Sequence, residues 1–379
     1  MSCALCSGRD RSGRVRDDLN FHLLAATSAM GDLLAGILAE HRVIFDRRNR
    51  LFTLLAPDGK NRQDYRRIVA LLRQVCSPSE RKAISAFLDD GLDFPAPRTL
   101  DEWWRVFETE WFDRALSGNE FVTWFQPIVD TSVSENGGRR IFAYECLMRL
   151  CHGRVYGGAE IVDAARVRRD EHRFDAYART LSLRSAASQS TAQVYFVNFM
   201  PSSIHNPELC LRSTLRTLED SGLQPRNVVF EVMESELAAD PAHLPRVCDY
   251  YRTHGFGFAL DNVGTGSRNM QLVRELRPHY VKLDKCLAQN IERPLYAATI
   301  RKLVELADAS GATVIAEGVE RPHVMENLWL LGVQCMQGFL FGHPAPGLVK
   351  PERGCIHPGP EPQRVPALQD MATPALTIH

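Results

Sequence analysis

A set of acidic and amide residues in this chain shares one relation to its surroundings: each stands at the end of a short apolar run. Glu145 follows Ile141-Phe142-Ala143-Tyr144, and Asn198 follows Val194-Tyr195-Phe196-Val197. Glu231 follows Val228-Val229-Phe230, with Glu234 three residues on, and Asp261 follows Phe258-Ala259-Leu260. Lys282 and Asp284 close Tyr280-Val281-Lys282-Leu283-Asp284, Glu317 follows Thr313-Val314-Ile315-Ala316, and Gln337 precedes Gly338-Phe339-Leu340-Phe341-Gly342. One carboxylate after an apolar run is ordinarily a turn residue or a helix N-cap. A whole series at successive run ends is not explained by capping. Crowded carboxylates repel, and ionising all of them is costly unless a cation intervenes. Oxygen donors without His or Cys suit magnesium or manganese rather than zinc. Lys282 beside the acids suits holding a water or an anionic substrate oxygen. Together these residues point to magnesium-dependent hydrolysis of a phosphate ester.

Such residues must be brought together by their elements. Eight apolar, β-branched or aromatic runs occur at 122–129, 140–147, 193–199, 227–232, 256–260, 280–283, 313–316 and 335–341. Helical patterns separate most of them, at 175–188, 208–222, 244–254, 295–310 and 324–331. Alternating strand and helix implies a largely parallel sheet, and this number of runs over such a length predicts an α/β protein with a (β/α)8, TIM-like barrel. In that fold the C-terminal strand ends converge on one face, where its active sites lie. The barrel is expected over residues 119–346.

The ordered set of motifs resembles the EAL-domain family of bacterial cyclic di-GMP phosphodiesterases. It runs through Phe125-Gln126-Pro127-Ile128-Val129, Glu145-Cys146-Leu147-Met148-Arg149, Val197-Asn198-Phe199-Met200-Pro201 and Glu231-Val232-Met233-Glu234-Ser235. It continues through Asp261-Asn262-Val263-Gly264-Thr265-Gly266, Val281-Lys282-Leu283-Asp284, Val314-Ile315-Ala316-Glu317-Gly318-Val319-Glu320 and Gln337-Gly338-Phe339-Leu340-Phe341-Gly342. The resemblance implies hydrolysis of cyclic di-GMP to linear pGpG on a barrel of the type above, with two Mg2+ or Mn2+ ions. It implies that Glu145, Asn198, Glu231 and Asp261 ligate the first metal, with Asp261 bridging to a second. Lys282 would position the attacking water, and Glu317 would act as its base or orient it. Gln126, Leu147, Arg149 and Gln337 would hold the dinucleotide, Arg149 by pairing with a phosphate oxygen. Glu234 would steady the loop after Asp261, where Gly264 and Gly266 supply tight turns. A homodimer through the barrel is also implied.

The chain departs from this family pattern in two places. Cys146 replaces the signature alanine; it is similarly small and reads as neutral, though a thiol beside Glu145 raises a minor question of redox sensitivity. Asn262 stands where the family has a second Asp. It keeps a carbonyl oxygen but loses a negative charge, which weakens a second divalent-cation site. Two readings follow: a working phosphodiesterase, or a receptor that binds cyclic di-GMP without cleaving it and signals through residues 1–118. No Gly-Gly-Asp/Glu-Glu-Phe sequence occurs, so synthesis of the same dinucleotide is not expected.

The remainder is less informative. Over 379 residues, 45 Lys+Arg balance 46 Asp+Glu, which removes a generally basic surface as an argument for DNA binding. No uncharged apolar stretch is long enough to span a membrane. Residues 1–118 read as mostly helical, with an amphipathic helix over 21–42 carried by Leu23, Leu24, Met30, Leu34, Ile37 and Leu38, and further helices at 65–75, 79–88 and 100–116. Their role and partner are unknown. Ten cysteines scattered along a chain without a convincing export signal predict reduced thiols and a cytoplasmic location. Cys3 and Cys6 have ligand-like spacing, but no second close pair completes a zinc site. Residues 347–379 are Pro-rich and are expected to be disordered.

Overall fold

A computed structural model describes residues 20–55, 62–89, 97–135, 138–233, 243–264 and 266–349. Glu234, Cys3, Cys6 and the Pro-rich tail beyond 349 lie outside the described residues. The described residues fall into two units, one of 20–120 with 159–171 and one of 121–158 with 172–349.

The first unit contains, besides its helices, a sheet that the mostly helical reading does not include. Its strands β1 (Asn20–Ala25), β2 (Phe45–Arg48), β3 (Leu51–Leu54), β4 (Ile84–Asp89) and β5 (Arg98–Thr99) form an antiparallel sheet in the order β2-β3-β1-β4-β5. The expected helix over 21–42 begins only at Ser28, where Thr27 caps it by accepting the Met30 amide. Before it, Phe21, Leu23 and Ala25 are all fully buried on alternate positions, the two-residue period of a strand. The expected helix over 79–88 likewise stops at Lys82, and residues from Ile84 pair with β1 in register from Asn20↔Asp89 to Ala25↔Ile84. Short apolar runs fit either period, and here distant strand pairing decided between them. Helices Ser28–Glu40, Arg62–Val75 and Leu100–Glu108 contribute Leu34, Val69 and Trp103 to the core over Phe21 and Phe52. The helix Gly158–Arg168 groups with this unit: wholly buried Arg168 is ion-paired with Asp113 and donates to the Val106 carbonyl at 2.8 Å.

The second unit is a closed ring of eight strands, as expected. They are β6 (Phe121–Glu135), β7 (Gly138–His152), β9 (Tyr195–Asn198), β10 (Val228–Met233), β11 (Gly257–Val263), β12 (Tyr280–Leu283), β13 (Thr313–Ala316) and β14 (Cys335–Gln337); the short β8 (Arg154–Tyr156) pairs with β7 outside the ring. Neighbours from β7 through β14 are parallel, but β6 runs antiparallel to both β7 and β14. The first strand is thus joined to the second by a hairpin rather than a helix. It presents its N-terminal half to the face where the other strands end.

One interior layer explains the closure. Ile128, Ala143, Phe196, Val229, Ala259, Tyr280, Ile315 and Cys335, one from each strand of the ring, are buried against each other inside the barrel. Their strand neighbours, such as Tyr144, Val197, Phe230, Leu260 and Val314, face outward into a second core shared with the surrounding helices. A buried ion pair anchors the segment after β9. Asp175, on the helix Glu171–Gln189, accepts from the Met200 amide at 2.8 Å, the Ser203 hydroxyl at 2.6 Å and Arg179 Nε at 3.0 Å. Arg179 also donates to the Thr214 hydroxyl. Removing one partner of such a pair leaves the other charged and buried. Asp175→Ala is therefore expected to cost about 3–5 kcal/mol of stability in urea denaturation. An unchanged midpoint would show the pair to be dispensable.

Candidate active site

Side chains on a strand alternate between faces, so residues two apart share one. From the apolar interior layer, two steps toward the C-terminal face lead to Glu145, Asn198, Glu231, Asp261, Lys282, Glu317 and Gln337. On β6, which runs the other way, two steps toward its N-terminus lead to Gln126. The registers agree: Gln126 lies opposite Glu145, and Asn198 lies beside Glu231. The polar layer thus sits directly on the apolar one, and side chains far apart in sequence meet for that reason.

They meet around one ammonium group. Lys282 Nζ lies 2.6 Å from Glu317 Oε1, 2.9 Å from Glu231 Oε1, 3.3 Å from Glu145 Oε2 and 3.9 Å from Asp261 Oδ1. Lys282 and Glu231 have no exposed side-chain surface. Gln337 Nε2 donates to Glu145 Oε2 at 2.7 Å and to Gln126 Oε1 at 3.0 Å. Gln126 Nε2 donates to the Gly342 carbonyl at 3.1 Å, and Asn198 Nδ2 donates to Glu145 Oε1 at 3.2 Å.

The electrostatics follow from four carboxylates facing one ammonium at low dielectric. Burial pushes the Glu231 carboxyl well above the usual range, and the neighbouring charges of Glu145 and Asp261 push the same way. Asp261 is also raised by burial, while Glu317 is raised by burial to about 7 although Lys282 opposes it. Burial would raise Glu145 too, but Lys282, Gln337 and Asn198 outweigh it and hold this carboxyl below its ordinary value. Burial disfavours the Lys282 charge, yet the surrounding acids hold its proton far more tightly than usual.

Such a cluster is short of positive charge. Beyond its ion pair with Lys282, neither buried oxygen of Glu231 accepts a hydrogen bond, and Gln337 Oε1 is likewise unpartnered. Those free oxygens and the all-oxygen donor set fit a hard divalent cation. Among the described residues, no three His, Cys, Asp or Glu side chains already have the spacing of a metal group; Lys282 Nζ stands between the acids.

Asp261 and Asn262 occupy an irregularity in β11, where register with β12 shifts between Leu260 and Val263. Asn262 has φ of 61°, its side chain is exposed, and its amide donates to Asp261 Oδ1 at 2.8 Å. Asn is among the few non-glycine residues that adopt this left-handed geometry readily. The position therefore carries a backbone requirement, which Asn262 meets. Cys146 is buried on the outward side of β7, and burial raises its thiol well above the ordinary value, which disfavours the reactive thiolate.

Leu147 and Arg149 share a face of β7 with Glu145, two and four residues nearer the mouth, opposite Trp124 and Val122 on β6. Arg149 is half-buried, donates to the Met148 carbonyl at 2.8 Å and carries its guanidinium 5.8 Å from the centre of the Trp124 ring. Trp124 was not singled out from the sequence, although its place two residues before Gln126 on a strand marks it as facing the same way. Asp175 was missed as well, because its partners come from other elements.

The family model for the EAL domain matches residues 109–344. The chain belongs to the EAL domain family. The match spans the ring of strands and every site residue discussed above. Among curated proteins, the chain is 29% identical over 153 residues to the "Probable cyclic di-GMP phosphodiesterase PdeA" of Escherichia coli, covering 40% of this chain and 21% of that one. It is 33% identical over 130 residues to the cyclic di-GMP phosphodiesterase RocR of Pseudomonas aeruginosa, covering 34% of this chain and 33% of that one. The chain thus spans no more than about a third of the length of either relative. Among solved structures, a standalone EAL protein of Vibrio cholerae in its c-di-GMP-bound form superposes with a TM-score of 0.55 at 29% identity, covering 61% of this chain and 95% of that one. In this EAL domain no described helix is long and apolar enough to cross a membrane.

Proposed function

We propose that this EAL domain hydrolyses one phosphodiester bond of cyclic di-GMP, giving linear pGpG, with Mg2+ or Mn2+ held by Glu145, Asn198, Glu231 and Asp261. The supporting observation is the convergence of Glu145, Glu231, Asp261 and Glu317 on one buried ammonium, with Glu231 Oε2 left without a partner. A divalent cation supplies Lewis acidity and charge neutralisation at the phosphate. The chain's own groups do the rest. Lys282 Nζ, fixed between Glu317 and Glu231, orients the attacking water. Glu317 Oε1 accepts its proton or aligns it. Gln126 and Gln337, locked to each other at 3.0 Å, shape the floor on which the dinucleotide rests. Arg149 meets a phosphate oxygen from the rim.

The test incubates the purified chain with cyclic di-GMP and Mg2+ or Mn2+, follows pGpG by chromatography, and titrates binding by calorimetry in Ca2+. Cleavage supports the proposal. The absence of both binding and cleavage overturns it.

The second reading, a receptor that binds without turnover, is favoured by Asn262, which lacks the charge that a second cation needs. Binding without cleavage in the same experiment supports it. Asn262→Asp keeps a side chain tolerant of φ 61° and restores the charge. It is expected to raise kcat by about tenfold or more where charge at that position limits the transition state. An equal rate in a steady-state assay would show Asn262 to be a competent substitute.

A further inference from the structure

We propose that Trp124 is a stacking surface for one purine base of the bound dinucleotide. The inference rests on the cyclic di-GMP reading above and assigns a base contact that the motif residues do not supply. Along β6, Gln126 faces the polar layer and Trp124 stands two residues nearer the mouth, on the same side of the strand. Its cross-strand partner is Leu147, so ring and leucine together line one wall above Glu145. Unlike Phe125, its neighbour, which is buried in the outward core, Trp124 is only half-buried. A large aromatic surface left partly open above a charged site lacks the packing reason that accounts for the buried aromatics.

The neighbour of the ring narrows the ligand. Arg149 holds its guanidinium 5.8 Å from the ring centre, within cation–π range. That contact holds a phosphate-pairing group over one face of the aromatic platform, so the base would stack on the other. A nucleotide has this pair of features, a flat base and an anionic phosphate joined by one sugar. Stacking requires only a π face, so the wall suits a purine without reading its hydrogen-bonding edge.

The experiment titrates cyclic di-GMP by calorimetry in Ca2+ against the full chain and its Trp124→Ala, Trp124→Leu and Trp124→Phe variants, with thermal unfolding alongside. The expected result is a weakening of Kd by about 5-fold to about 150-fold for Ala and Leu, with most affinity kept by Phe and Tm unchanged throughout. Nucleotide-induced quenching of tryptophan fluorescence is expected in the unsubstituted chain and absent from Trp124→Phe. Unsubstituted chain and Trp124→Leu binding equally well would overturn the stacking role alone, since Leu keeps bulk without a π face. Failure of the unsubstituted chain to bind would overturn the nucleotide reading and this inference together.

Discussion

Glu145→Ala is expected to lower Mg2+-dependent hydrolysis of cyclic di-GMP by at least about 10³-fold while leaving the barrel folded. The carboxylate is bound from three sides: Gln337 and Lys282 reach one oxygen at 2.7 and 3.3 Å, and Asn198 reaches the other at 3.2 Å. Truncation removes a proposed metal donor and frees Gln337 and Asn198, whose orientations it sets. Stability is expected to fall modestly with the fold retained: Lys282, Gln337 and Asn198 hold this carboxyl below its ordinary pKa, so truncation removes favourable contacts even as it relieves repulsion among the acids. The paired measurement separates a lost catalytic group from a lost fold. Retention of a tenth or more of the activity would remove Glu145 from the metal site.

Gly338→Ala carries the largest expected effect on stability. A Cβ at Gly338 would overlap the backbone nitrogen, carbonyl carbon and oxygen of Val319, with no flexible side chain in the way to yield. The two segments are clamped there, the Val319 amide donating to the Gln337 carbonyl at 3.0 Å and the Leu340 amide to the Val319 carbonyl at 3.1 Å. An added methyl must force the end of β14 away from the segment after β13, separating Gln337 from Glu317. The expected loss exceeds about 4 kcal/mol, read as a fall in the urea midpoint or as insoluble expression. A variant within about 1 kcal/mol of the original chain would show that the backbones have room to part.

The strand ends were legible because each of the eight runs has a local cause. Short stretches rich in Val, Ile and Phe, punctuated by helix-compatible segments, favour buried strands wherever the sheet places them, as at Val228–Met233 and Thr313–Ala316. The N-terminal unit was not legible in the same way. Residues 21–25 carry apolar groups compatible with either period, and they became a strand because β3 and β4 lie on both sides of them. Trp124 and Asp175 were overlooked for a related reason: a cross-strand register gives the first its neighbour Leu147, and a separate segment gives the second its partners Met200 and Ser203.

By itself, the order of residues determined which groups stand at strand ends, and so the acid, amide and lysine set of the site, because side-chain alternation is a property of the local backbone. Only the closed barrel decided that Lys282 stands among four carboxylates, that β6 enters antiparallel with Gln126 opposite Glu145, and that Asn262 takes a left-handed turn. Those relations depend on distances between strands far apart in sequence, and ring closure sets such distances where local preference cannot.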